Sequence, residues 1–167
     1  MTKLLLSIHV LAAILAVGPI AVAASMFPRY AREAAPGGVD VDVNVDTADQ
    51  RTRASSVAAI LHRICRGYAV AGVAVPVFGL ATAIQLGVLT DAWLISSLVL
   101  TAATAALLVF AILPRQQRML AGGSDLVDNG TPQALAARLA MLTGVFNLLW
   151  AIVVVLMIVR PGSTTGA

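Results

Sequence analysis

Hydrophobic residues fill four long stretches of this chain, and the charged residues gather between them. Leu4 to Phe27, Gly67 to Leu89, Ala92 to Leu113 and Leu139 to Val159 contain no Asp, Glu, Lys or Arg. They run 24, 23, 22 and 21 residues, each near the roughly 20 a helix needs to cross a bilayer core. A charge at mid-span costs about 2.5–3.5 kcal/mol on insertion scales, and the chain avoids that cost four times. The pattern predicts an all-α fold, a four-helix transmembrane bundle of two tandem helical hairpins. It is one membrane domain over residues 1–167, because neither connection, 28–66 nor 114–138, is long enough to fold alone, and the first half of 28–66 has few large apolar residues. Lys3, the apolar run and Ala21, Ala23 and Ala24 imitate a secretory leader, but the run is span-length. It reads as a retained first span.

The connections carry weaker patterns. Residues Val39 to Asp46 alternate Val with Asp or Asn, as a half-buried strand would, or as an extended acidic linker. Asp40, Asp42 and Asn44 imitate the start of a calcium loop. Val45 stands where that loop needs Gly and Arg51 where it needs Glu, so the match fails. Thr47 and Gln50 form a capping-box pair. Val57, Ile60, Leu61, Ile64, Cys65 and Tyr68 then recur at helical spacing, predicting a helix that runs on into the second span. Thr131-Pro132 supplies a helix N-cap and first residue ahead of the fourth span.

Charge sets the expected orientation. Nine of the eleven basic residues lie in the first and third connections, and only Lys3 and Arg160 lie outside them. The positive-inside rule therefore puts those connections in the cytoplasm and both termini outside. Arg29, Arg32, Arg63, Arg66, Arg115 and Arg118 are candidates for headgroup or partner contact, and Trp93 for an anchor at the opposite interface. The arginines flank spans without interleaved aromatics, so no nucleic-acid partner is read. Phe27-Pro28-Arg29-Tyr30-Ala31-Arg32 and Leu113-Pro114-Arg115-Gln116-Gln117-Arg118 share an apolar-Pro-Arg-x-x-Arg pattern. Arg66 with Gly72-Val73 likewise matches Arg138 with Gly144-Val145. Either a hairpin was duplicated, or interfacial Pro and Arg recur by chance at span ends.

No catalytic motif stands out, and no catalytic, cofactor or metal residue is nominated. Cys65 is the only cysteine, which excludes an intrachain disulfide and makes it a small buried hydrophobe. His9 lies inside the first span, where ionisable residues are rare and often functional. Ser7, Gln85, Ser96 and Ser97 are its expected partners. Its readings are a neutral histidine bonded between helices, a proton relay, or a copper or quinone contact. His62 lies near the other membrane face, too far from His9 to share one iron. Asn147 and Thr143 are expected to bond across helices. His9, Gln85 and Asn147 form the candidate polar site. Gly18-Pro19, Gly72, Pro76 and Gly79 read as close-packing or kink positions.

The run Ile8-His9-Val10-Leu11-Ala12-Ala13-Ile14-Leu15, the two Pro-Arg-x-x-Arg span ends, and the close Trp150…Met157-Ile158-Val159-Arg160-Pro161-Gly162 carry a resemblance. The chain resembles an uncharacterised family of bacterial four-span integral membrane proteins, akin to the copper-resistance D proteins. For those relatives the resemblance implies copper handling through histidines and methionines, and of that kind this chain keeps only His9. Its Ala, Val and Arg usage suits a high-GC actinobacterium. Small four-span proteins of that kind are similar to accessory subunits around actinobacterial respiratory oxidase supercomplexes. The expectation is a non-catalytic accessory or scaffold subunit in a bacterial plasma membrane, with other integral membrane subunits as partners. A copper- or redox-linked protein using His9, and a small-molecule transporter between the two hairpins, are the alternatives.

Overall fold

A computed structural model describes residues 2–35, 45–121 and 131–162, and every element among them is helical. The helices are α1 (Thr2–Ala34), α2 (Val45–Ala71), α3 (Ala74–Leu86), α4 (Ala92–Ala106), a π-helical turn (Leu107–Ile112), α5 (Leu113–Ala121) and α6 (Pro132–Val159). Taken as continuous rods they make four helices long and apolar enough to cross a membrane, at Lys3–Ala34, Asp46–Leu86, Ala92–Ala121 and Gln133–Val159. Only 11–22% of the most apolar window of each rod is buried inside the protein. The remaining apolar surface needs lipid or protein around it.

The rods pack as two antiparallel hairpins. α1 lies against α2 and α3, α6 lies against both α1 and α4, and α5 returns onto α2. This up-and-down order gathers the nine arginines of the two long connections at one end, here the arginine end. Arg160 and the tight Thr90-Asp91 turn mark the other, the turn end. At the arginine end small residues let the backbones approach: Ala23, Ala24 and Ala31 of α1 face Ala58 and Cys65 of α2, all buried. Phe27, Ile112, Leu139 and Phe146 fill the space between, each at most 1% exposed.

Every rod is longer than its charge-free stretch, or ends at a different place. α1 runs through Pro19 and Pro28 to Ala34 instead of stopping at Phe27. A proline removes the N–H that the carbonyl four residues earlier would accept. For Pro28 that carbonyl is Ala24 O, and the Thr143 hydroxyl of α6 approaches it at 3.5 Å while donating to Leu139 O at 3.0 Å. The second rod stops at Leu86 and not Leu89. Gly87 takes a left-handed conformation at φ 69°, and its N–H and that of Val88 close onto Ile84 O and Ala83 O, a Schellman stop.

The same rod is broken at Gly72-Val73. Pro76 has no N–H for Gly72 O, which takes the Val75 N–H at 3.1 Å instead, tightening the turn. Upstream, Ala54, Ala58, Leu61 and Cys65 face inward, whereas Ile60 is 57% exposed and Tyr68 39%. Those two belong to the lipid-facing side, against the expected apolar stripe. α2 starts at Val45, so Thr47 sits inside the helix and not at its cap. The alternating segment 39–46 lies almost wholly outside the described residues. α6 begins as expected, with Thr131 Oγ1 accepting from the Ala134 N–H at 3.3 Å and Pro132 in the first turn.

The third rod continues to Ala121, past the expected end at Leu113. It does so through the π turn Leu107–Ile112. In a regular α-helix the ring of Pro114 would press on Phe110 O, and widening the turn relieves that clash. Thr104, Leu108, Ile112 and Gln116 are all buried. Three steps of four residues drift by about 120° round a regular helix; the wider turn holds them on one face. The two Pro-Arg-x-x-Arg copies therefore present different positions inward. Phe27 and Ala31 are buried in the first, and Ile112 and Gln116, one position earlier in the pattern, in the second.

Candidate functional site

The three residues of the expected polar site do not come together. His9 Nδ1 lies 2.9 Å from Val75 O of α3, Asn147 Nδ2 donates to Ser25 Oγ of α1 at 3.3 Å, and Gln85 lies exposed near the end of α3. The serines expected around His9 are engaged elsewhere. Ser7, Ser96 and Ser97 donate to the carbonyls of Lys3, Ala92 and Trp93 on their own helices. His9 instead crosses from α1 to the helix that restarts after the Gly72-Val73 break, and Gly79 makes room for it. A Cβ on Gly79 would stand 2.8 Å from His9 Cε1 and 3.1 Å from Nδ1. Gly79 is thus a close-packing position, and the imidazole is what packs there.

His9 borders a cavity at the turn end. It has a volume of about 510 Å³, within the usual size of a small-molecule site. Walls come from α1 (Leu6, Ala13), α3 (Pro76, Leu80), α4 (Leu94, Leu98) and α6 (Val153, Met157). Trp150, whose indole carries an N–H donor, lines it also, and the other polar side chains among its lining residues are His9, Thr101 and Arg160. The cavity exists because the ring of helices closes unevenly. α2 packs on α5 at the arginine end, but α3 and α4 scarcely touch beyond their shared turn.

Trp93 and Arg160 form the rim. The Trp93 Nε1–H donates to Asp91 Oδ2 at 3.0 Å, and the Arg160 guanidinium stands over the indole, 5.5 Å from its centroid, a cation–π contact. Trp93 is 6% exposed, so the expected interfacial anchor packs within the protein. Arg160 ends α6 in a left-handed conformation at φ 45°, strained for a residue with a side chain.

A second polar cluster lies in the tight half, and sequence reasoning missed its centre. Gln116 is fully buried. Its Oε1 lies 3.0 Å from His62 Nδ1, and its Nε2–H₂ points to Cys65 Sγ at 3.7 Å. Gln116 looked like a spacer in Pro-Arg-x-x-Arg, but the four-residue recurrence Thr104, Leu108, Ile112, Gln116 marks it. Cys65 is fully buried, as a small core residue should be. His62 and Val75, where His9 docks, are thirteen residues apart, about 20 Å of helix, so the two histidines serve separate sites. Among the described residues, no three His, Cys, Asp or Glu side chains gather where they could hold a metal.

The candidate arginines Arg29, Arg32, Arg63, Arg66, Arg115 and Arg118 are all exposed at the arginine end. Arg29 pairs with Glu33 at 3.0 Å and covers Tyr30 at 5.9 Å. Arg115 donates to Ala111 O at 2.9 Å. One further feature lies on the outside of the bundle. Along the α1/α6 seam, Asn147 Oδ1 is buried with no hydrogen-bond partner while Ser25 beside it is exposed. Gly18 and Gly144 on the same two helices face open space. No protein-family model, curated protein or solved structure matches the chain, so its own geometry carries the functional reading.

Proposed function

We propose that this chain is a non-catalytic, multi-pass membrane subunit that docks on other integral membrane subunits along the α1/α6 seam. The observation that carries the reading is Asn147. It sits in the seam at membrane depth, finds one long bond to Ser25, and leaves its buried Oδ1 unmatched. In a bilayer, polar side chains among small residues act as glue between helices, worth about 1 kcal/mol each. Gly18 and Gly144 let another helix approach that place closely. The arginine end faces the cytoplasm of a bacterial cell by the positive-inside rule, and both termini lie outside. The respiratory oxidase supercomplex, implied by the family resemblance, is the first assembly in which to seek the partner.

The test is photo-crosslinking in native membranes, with a photoreactive residue at Gly144 in the full chain. Products with another integral membrane protein are expected, reduced at least about fivefold by Asn147→Leu. Labelling of lipid alone, with the chain purifying as an isolated monomer in mild detergent, would end the proposal.

A further inference from the structure

His9 and Thr101, on the inner walls of the turn-end cavity, share one hydrogen-bonding sense. A backbone carbonyl can only accept, so the 2.9 Å contact between His9 Nδ1 and Val75 O requires the hydrogen on Nδ1. A neutral imidazole held this way keeps a lone pair on Nε2, for which no partner occurs among the described residues. Thr101 is fixed in the same sense. Its hydroxyl hydrogen goes to Ser97 O at 2.7 Å, leaving the oxygen's lone pairs. His9 and Thr101 on the inner walls therefore both offer acceptors, and apart from the Trp150 indole the rest of those walls is apolar. Arg160, the donor, is stationed at the rim over Trp93.

The cavity walls carry exposed apolar residues. The Thr90-Asp91 turn and the Trp93–Arg160 stack stand at the end nearest water. Between α3 and α4 the wall is thin, since those helices hardly meet. Exposed Leu80, Ile95 and Leu98 border that gap and line the cavity. An occupant enters sideways from the hydrocarbon.

We infer that this cavity binds a hydroxyl-headed lipophile, a lipid alcohol or phenol. Its O–H donates to His9 Nε2, with Thr101 Oγ1 as the second acceptor, and its apolar tail leaves between α3 and α4. A lipid whose head offers only acceptors, such as an ester or ether, fills the same volume without making either bond. Gly79 is the positioning residue: it lets the imidazole lie against α3 with Nδ1 committed to Val75, which directs the lone pair to the cavity. This site is independent of the α1/α6 seam.

The experiment uses the full chain in phosphatidylcholine nanodiscs, with two probes, a brominated 4-dodecylphenol and its methyl ether. Trp150 lines the cavity and reports a bound bromine by quenching. Saturable quenching by the phenol is expected, with about five- to tenfold weaker binding of the ether, the worth of one hydrogen bond. His9→Phe should erase the preference and Gly79→Ala should blunt it. Equal binding of the two probes, or non-saturable quenching by both, overturns the proposal. A second readout needs no variant. The ¹⁵N spectrum of His9 in the wild-type protein should show the Nδ1–H tautomer, and the phenol alone should shift Nε2. An Nε2–H tautomer, or no shift, overturns it too.

Discussion

The two ends of the bundle solve the same problem differently. Each contains a proline within a membrane rod, yet one end is packed and the other hollow. At the arginine end Thr143 approaches the carbonyl freed by Pro28, and the π turn accommodates Pro114, so both helices stay in contact with their neighbours. At the turn end Pro76 follows a break at Gly72-Val73, and α3 diverges from α4. What separates the outcomes is the neighbouring side chains. Alanines and large apolar groups interlock in one half, while a histidine seated on a glycine props the other.

Three pairs of substitutions test this contrast, and all are read by unfolding in detergent with the full chain. The largest effect is expected for Phe27→Ala in the tight half, a loss of about 3 kcal/mol or more, since a fully buried aromatic leaves a cavity. Leu98→Ala, half exposed beside the cavity, should stay within about 0.5 kcal/mol. Similar losses at both positions would mean that the two ends are equally packed. Gln116→Leu comes next. Removing the bridge between His62 and Cys65 should cost about 1 kcal/mol, whereas Thr101→Val, which breaks only a bond to its own helix, should cost less. The reverse order would move the important polar contact to the hollow half.

The smallest pair differs in sign. Gly79→Ala should lower stability by roughly 1 kcal/mol through the displaced His9 bond. Gly18→Ala meets open space and should raise it by up to about 1 kcal/mol through helix propensity. If Gly79→Ala also stabilises, the imidazole is not seated as described.

The spans were legible in the chain because a bilayer excludes charge, and their absence over 90 residues is a direct trace of that solvent. Helix ends were harder. Pro28 and Pro114 look like terminators, and what carries the helices past them is a hydroxyl from another helix in one case and a wider turn in the other. The cross-helix bond of Asn147 could be expected from the cost of an unpaired amide in lipid. The partner of His9 could not, because a backbone carbonyl has no signature in sequence. Gly79 was visible as a small residue, but nothing named the side chain it makes room for. Gln116 was hidden by the repeat: it stands at one of the two variable positions of Pro-Arg-x-x-Arg, and only the shifted inward face turns it to the core.

The gap between α3 and α4 lies at one end of the bundle only, and that asymmetry has a consequence for supply. In the proposed orientation, with the arginine end inside the cell, whatever loads the cavity comes from the outer leaflet. Molecules in the inner leaflet must first cross the bilayer, so occupancy would follow the composition of a single monolayer and the rate at which its contents are exchanged.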